Sequence, residues 1–167
     1  MVAGLSQCGK TAFICALIQL GRRSGTNLAA LKPFDIGLIR RNALEEISDG
    51  ELFCQNMTGD PMEILVSPYV ANEFYPIEMA FRRDGIRINW GFLKERLSIL
   101  SELYSSTLIE LPGSLYTPIT EEKMGFDWLR ESQNQVVWLI NPIAEQFEQN
   151  LAEISLLKSL NLEVDLV

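Results

Sequence analysis

The clearest chemical pattern in the sequence is Gly4-Leu5-Ser6-Gln7-Cys8-Gly9-Lys10-Thr11, which has the form G-x-x-x-x-G-K-[ST]. Its glycines let the backbone curl so that several N–H groups point inward and form an anion nest. A helix that begins here adds the positive end of its dipole. Lys10 is then placed to reach the β- and γ-phosphates of a nucleotide, and Thr11 to bring its hydroxyl to Mg²⁺. The alternative is a glycine-rich turn that begins a helix without binding phosphate.

Two acidic residues are candidates to complete the magnesium site. Asp49 lies at a predicted helix start, and Glu110 ends a predicted strand, at the sheet edge where ligands bind in open α/β folds. Mg²⁺ prefers one or two carboxylates together with phosphate oxygens and water. The sequence therefore predicts Thr11, Asp49 and Glu110 as metal ligands. Two alternatives stay open: Asp49 as a helix N-cap beside Ser48, and Glu110 as a solvated strand-end acid.

The composition excludes several classes of catalytic mechanism and of binding partner. The chain has 167 residues, 14 Lys and Arg against 22 Asp and Glu, a net charge of −8 and no histidine. A histidine-free chain excludes Ser-His-Asp and Cys-His mechanisms and histidine-ligated metals. The negative charge argues against binding to the phosphate backbone of nucleic acids. Catalysis must therefore use lysine, hydroxyls, carboxylates, backbone amides or a bound metal ion.

The cysteine count and the hydropathy pattern bear on location. Cys8, Cys15 and Cys54 are odd in number and have no paired spacing, which favours reduced intracellular thiols over a disulfide framework. No apolar run reaches the roughly 18 residues that a membrane span needs, and no signal-peptide pattern is visible. We expect a cytoplasmic protein without membrane or nucleic-acid partners.

The elements that must position these residues alternate between strand and helix. Helical spacing of apolar residues covers 9–23, 89–104 and 144–160, with a shorter helix near 49–53 and a helical turn at 126–131. Extended segments are predicted at 28–31, 64–69, 107–110, 136–140 and 162–167. This order predicts an α/β fold with a mostly parallel sheet in a single domain over residues 1–167. Both ends fall within apparent core strands, so we expect a domain that is incomplete at both ends, with a truncation at its C-terminus.

Five further motifs follow the phosphate loop along the chain. They are Leu31-Lys32-Pro33-Phe34-Asp35-Ile36-Gly37, Ser48-Asp49-Gly50-Glu51-Leu52, Ser67-Pro68-Tyr69, Glu110-Leu111-Pro112-Gly113-Ser114-Leu115-Tyr116-Thr117-Pro118 and Phe126-Asp127-Trp128-Leu129. In this order and spacing the chain resembles dethiobiotin synthetase, the ATP-dependent ring-closing enzyme of biotin synthesis. The resemblance implies a doubly wound P-loop NTPase fold with helices on both faces of the sheet, and a homodimer.

The resemblance also implies a reaction. Diaminopelargonic acid and carbon dioxide form a carbamate, the carbamate attacks the γ-phosphate of Mg²⁺-bound ATP, and the mixed anhydride closes to a cyclic urea. By position, Lys10 and Lys32 would be the catalytic lysines that flank carbamate and γ-phosphate. The implied phosphate-binding residues are Gly4, Ser6, Gln7, Cys8, Gly9, Lys10 and Thr11, and the implied substrate-binding residues are Lys32, Ile36, Gly113 and Ser114. The alternative for Lys32 is a solvated strand-end lysine.

The substrate side departs from the family pattern. Ile36 stands where the family has Thr or Ser, and Leu111, Pro112 and Ser114 replace small residues of a glycine-rich loop. These changes predict a bulkier and stiffer loop. The family's adenine-recognising Asn would lie beyond Val167. Three functions stay open: a divergent synthetase, a degenerate nucleotide-binding protein without synthetase activity, and a related ligase that acts on another small carboxylate.

Overall fold

The computed structural model describes residues 1–38, 47–132 and 135–167. These residues form two compact units, the first made of residues 1–10 and 111–167 and the second of residues 11–110. The prediction of a single domain over 1–167 stays a prediction. Each unit has its own parallel strands and its own buried residues.

The described elements alternate between strands and helices along most of the chain. In chain order they are β1 (Val2–Gly4), α1 (Lys10–Ser24), β2 (Leu28–Leu31), β3 (Phe34–Ile36), α2 (Asp49–Asn56), α3 (Glu63–Val66), β4 (Tyr69–Ala71), α4 (Ile77–Arg83), α5 (Trp90–Leu103), β5 (Ser106–Ile109), α6 (Gly125–Ser132), β6 (Val136–Leu139), α7 (Ala144–Ser159) and β7 (Val164–Leu166). Among the described residues, every pair of these strands is parallel: β1–β6, β6–β7, β2–β5 and β3–β4. The predicted α/β class with mostly parallel strands is confirmed.

The first unit is built around β6, which lies between β1 and β7. Val136 and Trp138 of β6 are fully buried, as expected for a continuous apolar strand in a parallel sheet. The indole Nε1–H of Trp138 donates a 3.0 Å hydrogen bond to Oδ1 of Asn150 on α7, which satisfies the polar atom of this buried ring. The core of the unit consists of Ala3, Leu5, Leu111, Leu115, Leu129, Val136, Trp138, Ile154 and Leu157.

The second unit carries β2 and β5 side by side, with Leu31 opposite Ile109. Ala29, Ala30 and Leu31 are fully buried, because β2 has apolar side chains on both faces. Helix α5 begins at the N-cap Asn89, whose side chain accepts hydrogen bonds from the Gly91 and Phe92 amides. This helix confirms the prediction made for residues 89–104 from its apolar spacing.

One extended prediction was wrong in part. Residues 64–69 were expected to be extended throughout, but Glu63–Val66 forms the short helix α3 and the strand begins at Tyr69. The amide of Ser67 donates a 2.6 Å hydrogen bond to the carbonyl of Glu63, which closes the helical turn. A short apolar run does not distinguish a buried strand from one buried helical turn, because both bury consecutive side chains. None of the helices in the described part of the chain is long and apolar enough to cross a membrane.

Candidate functional site

Residues 4–10 of the phosphate loop lie in the first unit and begin at the last residue of β1. Gln7 and Gly9 have φ angles of 62° and 91°, so the loop reverses direction through left-handed backbone conformations. Gly4 has a φ of 144°, and a Cβ atom built there would lie 2.5 Å from the carbonyl oxygen of Leu139. No other residue fits at Gly4 without moving backbone. The side chains of Ser6 and Gln7 are exposed, and a curled loop of this kind is the geometry that anion nests use.

Lys10 folds back over the same loop. Its Nζ donates hydrogen bonds to the carbonyl oxygens of Gly4 and Leu5, at 3.0 and 2.8 Å. The residue is 6% exposed although it carries a charge. Carbonyl partners of this kind hold a buried ammonium in place. The loop therefore places a fixed positive charge beside its own backbone, next in sequence to Thr11.

In the second unit, Thr11, Lys32, Asp49 and Glu110 form a hydrogen-bonded group, which we call the Lys32 cluster. The Nζ atom of Lys32 lies 2.5 Å from Oδ2 of Asp49 and 2.7 Å from Oε1 of Glu110. The hydroxyl of Thr11 donates a 2.9 Å hydrogen bond to Oε2 of Glu110. The structure thus brings together all three predicted metal ligands and one of the predicted catalytic lysines.

Strand register explains how Lys32 and Glu110 meet. Leu31 and Ile109 are partners in the parallel pair β2–β5, and the chain leaves both strands at the next residue. The amide of Glu110 extends the pairing with a 2.9 Å hydrogen bond to the carbonyl of Leu31. Both side chains therefore emerge at the same carboxyl edge, which is where parallel α/β sheets bind ligands.

Ser48, not Asp49, caps helix α2. The Ser48 hydroxyl accepts a 2.9 Å hydrogen bond from the Glu51 amide and donates one of 2.5 Å to Oε1 of Glu63. Asp49 is the first helical residue, and its carboxylate pairs with Lys32. The N-cap alternative for Asp49 is therefore wrong.

The burial of Lys32 and Glu110 excludes the alternative that was left open for each of them. The side chains of Lys32 and Glu110 are 12% and 6% exposed, so neither is a solvated strand-end residue. Burial by itself lowers the pKa of Lys32, but the carboxylates of Glu110, Asp49 and Asp35 outweigh burial and raise it above its ordinary value. Lys32 is therefore an ammonium ion at any physiological pH.

The cluster also affects a neighbouring thiol on α1. Burial, then the negative charges of Glu110 and Asp49, raise the pKa of Cys15 to about 11. Burial disfavours the charged thiolate, and the net negative charge of two carboxylates and one ammonium adds to that effect. A thiolate at Cys15 would add to that charge.

The donor set of the cluster suits Mg²⁺. A hydroxyl and two carboxylates are hard oxygen donors, and Mg²⁺ in proteins usually takes one or two carboxylates and completes its shell with phosphate and water. Among the residues that the structure describes, no group of three or more Asp, Glu, Cys or His side chains could hold a metal by itself. A magnesium ion here would therefore depend on Thr11 and on oxygens that a ligand supplies.

The segment after Glu110 belongs to the first unit, and its first residue, Leu111, does not add the bulk that was expected in the loop. Leu111 is 1% exposed and packs in the core with Ala3, Leu5 and Leu115. Its amide donates a 2.9 Å hydrogen bond to the carbonyl of Val2. The expectation of added bulk at Leu111 is therefore wrong, because the core of the unit accommodates this side chain.

The backbone after Leu111 approaches the phosphate loop closely. Gly113 has a φ of 41°, and a Cβ built on it would lie 2.9 Å from Oγ of Ser6. The Ser114 hydroxyl accepts a 3.1 Å hydrogen bond from the amide of Tyr116, so it supports the turn from within. The predicted substrate residues Gly113 and Ser114 thus lie in a turn that packs against the phosphate loop of the first unit.

Ile36, the remaining predicted substrate residue, ends β3 in the second unit. It pairs with Ala71 of β4 and is half-buried. It is not a member of the Lys32 cluster. The hydroxyl that the family pattern has at this position is absent, as the sequence already shows.

Sequence reasoning missed two buried acids. Glu153 of α7 is fully buried, and its Oε2 accepts a 2.7 Å hydrogen bond from the amide of Leu115. Asp35 is 2% exposed and is one of the carboxylates that raise the pKa of Lys32. Glu153 could have been found, because it shares the spacing of Asn150, Ile154 and Leu157 on the buried face of α7. Asp35 lies three residues after Lys32 in the segment Leu31–Gly37, and nothing in the sequence pattern indicates its burial.

Comparison with known proteins supports the resemblance. No protein-family model matches the chain. The ATP-dependent dethiobiotin synthetase of Anaeromyxobacter sp. (strain Fw109-5) is 28% identical over 116 residues, which are 69% of this chain and 50% of that protein. The enzyme of Serratia marcescens is 27% identical over 137 residues, 81% of this chain and 60% of that protein.

A third relative extends the similarity along almost the whole chain. The ATP-dependent dethiobiotin synthetase of Bacillus cereus (strain B4264) is 22% identical over 160 residues, 95% of this chain and 64% of that protein. The chain thus spans between half and two thirds of the length of these curated relatives. It is similar, at low identity and over most of its length, to the ATP-dependent dethiobiotin synthetases.

Proposed function

We propose that this chain carries the nucleotide and magnesium site of a dethiobiotin-synthetase-like ligase. In this reaction a diamine carbamate, formed from diaminopelargonic acid and carbon dioxide, is phosphorylated by ATP and closes to the cyclic urea. The Lys32 cluster is the observation that carries the proposal. It joins a phosphate-loop threonine, two carboxylates and a lysine at the carboxyl edge of parallel strands. The same four positions are the ones that the family resemblance assigns to metal and substrate.

Each residue has a defined task in this proposal. The amides of residues 4–11 and the Lys10 ammonium bind the phosphates of ATP, while Thr11, Asp49 and Glu110 hold Mg²⁺. When bound, magnesium supplies positive charge that neutralises the phosphate oxygens. Lys32 binds the anionic carbamate or the γ-phosphate, and the turn at Gly113 and Ser114 offers backbone amides to a substrate carboxylate. Such a site works by positioning and charge neutralisation, which needs no histidine.

The wider setting is proposed with the reaction. We propose a single nucleotide-binding domain in a cytoplasmic homodimer that acts on a small molecule. The similarity to dethiobiotin synthetases supports the type of substrate. The polar site chemistry suits a small diamino carboxylate.

The direct test is synthesis by the purified chain. Diaminopelargonate, bicarbonate and Mg²⁺-ATP are supplied, and dethiobiotin and ADP are both measured. The Lys10→Ala variant removes the loop ammonium, and Lys94→Ala, exposed on α5, is the matched control. We expect product from the wild type and the control, and loss of both products in Lys10→Ala. A wild type that binds Mg²⁺-ATP but forms neither product would contradict the synthetase proposal.

Ile36 favours a second candidate function, a nucleotide-binding protein without synthetase activity. The half-buried isoleucine offers no hydroxyl to a carbamate. In that case ATP binds to the chain and is not turned over with diaminopelargonate. Restoring the hydroxyl with Ile36→Thr tests the point, since a gain of synthesis in this variant would show that Ile36 limits the reaction.

A related ligase that uses another small carboxylate is distinguished by ligand-dependent thermal stability. A carboxylate that binds the native state raises the melting temperature of the protein. Stabilisation by another carboxylate in the presence of a non-hydrolysable ATP analogue, with none by diaminopelargonate, would support this alternative.

A further inference from the structure

The Lys32 ammonium lies between the two carboxylates that would bind magnesium. Oδ2 of Asp49 is 2.5 Å from Nζ, and Oε1 of Glu110 is 2.7 Å from the same nitrogen. Because both oxygens contact one atom, a single cation can reach both. An ion that did so would need the space that Nζ fills.

Because of their charges, the Lys32 ammonium and a divalent metal ion are alternative partners for the two carboxylates. One ammonium compensates only part of the charge of Asp49 and Glu110, whereas a divalent ion compensates all of it. A lysine displaced from the carboxylates keeps its positive charge. Its side chain is 12% exposed, so leaving it without an anionic partner is costly.

We propose, resting on the function proposed above, that Lys32 is a built-in cation which competes with Mg²⁺ for Asp49 and Glu110. When the metal binds, Lys32 leaves the two carboxylates and becomes available to the anionic substrate or to the phosphate of ATP. Without nucleotide, Mg²⁺ binds weakly, because it leaves the Lys32 ammonium without an anionic partner. Metal and nucleotide together bind well, because the nucleotide supplies the anion that the released lysine needs.

This exchange couples the two ligands. Asp35, buried close enough to influence Lys32, compensates part of the displaced charge, so the coupling is limited. We expect nucleotide to strengthen metal binding by about tenfold through Lys32, within the usual range for coupled sites. The same factor must apply to the effect of metal on nucleotide binding.

The test is a calorimetric titration of the full chain with Mn²⁺, with and without a non-hydrolysable ATP analogue. Lys32→Met removes the competing ammonium and keeps much of the side-chain volume. Lys94→Met removes the same charge from the exposed face of α5 and is the matched control. We expect Lys32→Met to bind Mn²⁺ alone about tenfold more tightly than the wild type, with a correspondingly smaller gain from nucleotide. Lys32→Arg keeps a cation and should bind Mn²⁺ alone as weakly as the wild type.

A second measurement uses the wild type and so does not depend on how a variant folds. Acetic anhydride labels lysine amines, and mass spectrometry gives the extent of labelling at Lys32. Saturating Mg²⁺ should raise labelling of Lys32 and leave Lys94 unchanged, and the ATP analogue added with Mg²⁺ should protect Lys32 again.

The outcomes separate this inference from the proposed function. If the wild type binds Mn²⁺ with the analogue, but Lys32→Met binds Mn²⁺ alone no more tightly than the wild type, the exchange is wrong and the proposed function stands. Unchanged labelling of Lys32 on addition of saturating Mg²⁺ would overturn it equally. If the wild type exchanges Lys32 for metal but makes no dethiobiotin, the exchange is supported and the proposed synthetase activity is contradicted.

Discussion

The Nζ atom of Lys32 lies 2.7 Å from Oε1 of Glu110, although the two residues are 78 positions apart in the sequence. Each follows the last residue of a strand, and those last residues are partners in the parallel pair β2–β5. The ion pair is therefore a product of strand register. A shift of that register by one residue would turn one of the two side chains to the other face.

Glu110→Gln tests the contribution of this pair to stability. The variant keeps an acceptor for Thr11 but removes a buried charge that Lys32 contacts, and Asp49 remains to compensate the lysine. We expect the free energy of unfolding to fall by about 1.5–3 kcal/mol, the range for a hydrogen bond to a charged group. Urea denaturation measures the change. Glu102→Gln, exposed on α5, is the control and should stay within about 0.5 kcal/mol of the wild type. Equal effects of the two variants would contradict a stabilising role for Glu110.

Leu111→Ala tests where that side chain lies. Because Leu111 is 1% exposed in the core of the first unit, its truncation should cost about 2–5 kcal/mol of unfolding free energy. Leu103→Ala removes the same atoms from a residue that is 61% exposed and should cost far less. Thermal and urea unfolding compare the two. A loss in Leu111→Ala as small as that in Leu103→Ala would mean that Leu111 projects from the core into the loop.

Gly4→Ala tests the close packing at the base of the phosphate loop. The added Cβ would lie 2.5 Å from the carbonyl oxygen of Leu139, so the backbone of the loop must move. Gly85→Ala also has a positive φ but meets no atom within 4 Å, and its cost of about 1–2 kcal/mol comes from backbone conformation alone. We expect Gly4→Ala to lose more stability than Gly85→Ala and to lose binding of a fluorescent ATP analogue. Retained binding in Gly4→Ala would show that the loop tolerates the shift.

The pH dependence of stability tests the environment of Cys15. Burial and the nearby carboxylates raise the pKa of this thiol to about 11, whereas an unfolded cysteine ionises near pH 8.5. A raised folded-state pKa favours the native state fully below the unfolded pKa, and this contribution is lost as pH rises from about 8.5 towards 11.

Urea unfolding at pH 7.5, 9 and 10 measures this loss. The wild type should lose stability over the range, and Cys15→Ala should lose less. Cys54 also has a pKa raised to about 11, so a second variant, Cys54→Ala, reports its separate share. Parallel pH profiles for the wild type and Cys15→Ala would contradict a raised pKa at Cys15.

The local sequence determined the phosphate loop and several helices of this protein. The spacing of glycine, lysine and threonine in residues 4–11 predicts the phosphate loop, and the apolar period predicts helices α1, α5 and α7. These patterns are readable because a helix or a loop depends on residues a few positions apart. The strands at 28–31 and 107–110 were also predicted, but their pairing with each other was not.

Tertiary structure decided the partners of the buried side chains. Ser48 is the N-cap of α2, and the carboxylate of Asp49 pairs with Lys32. Leu111 is buried in the core, although it was expected to be a loop residue. The acids Asp35 and Glu153 are buried although their residue type favours the surface. Such choices follow from strand register and from which surfaces pack together, because electrostatic and apolar contacts act between atoms that are close in space. Periodicity along a chain carries no information about those distances.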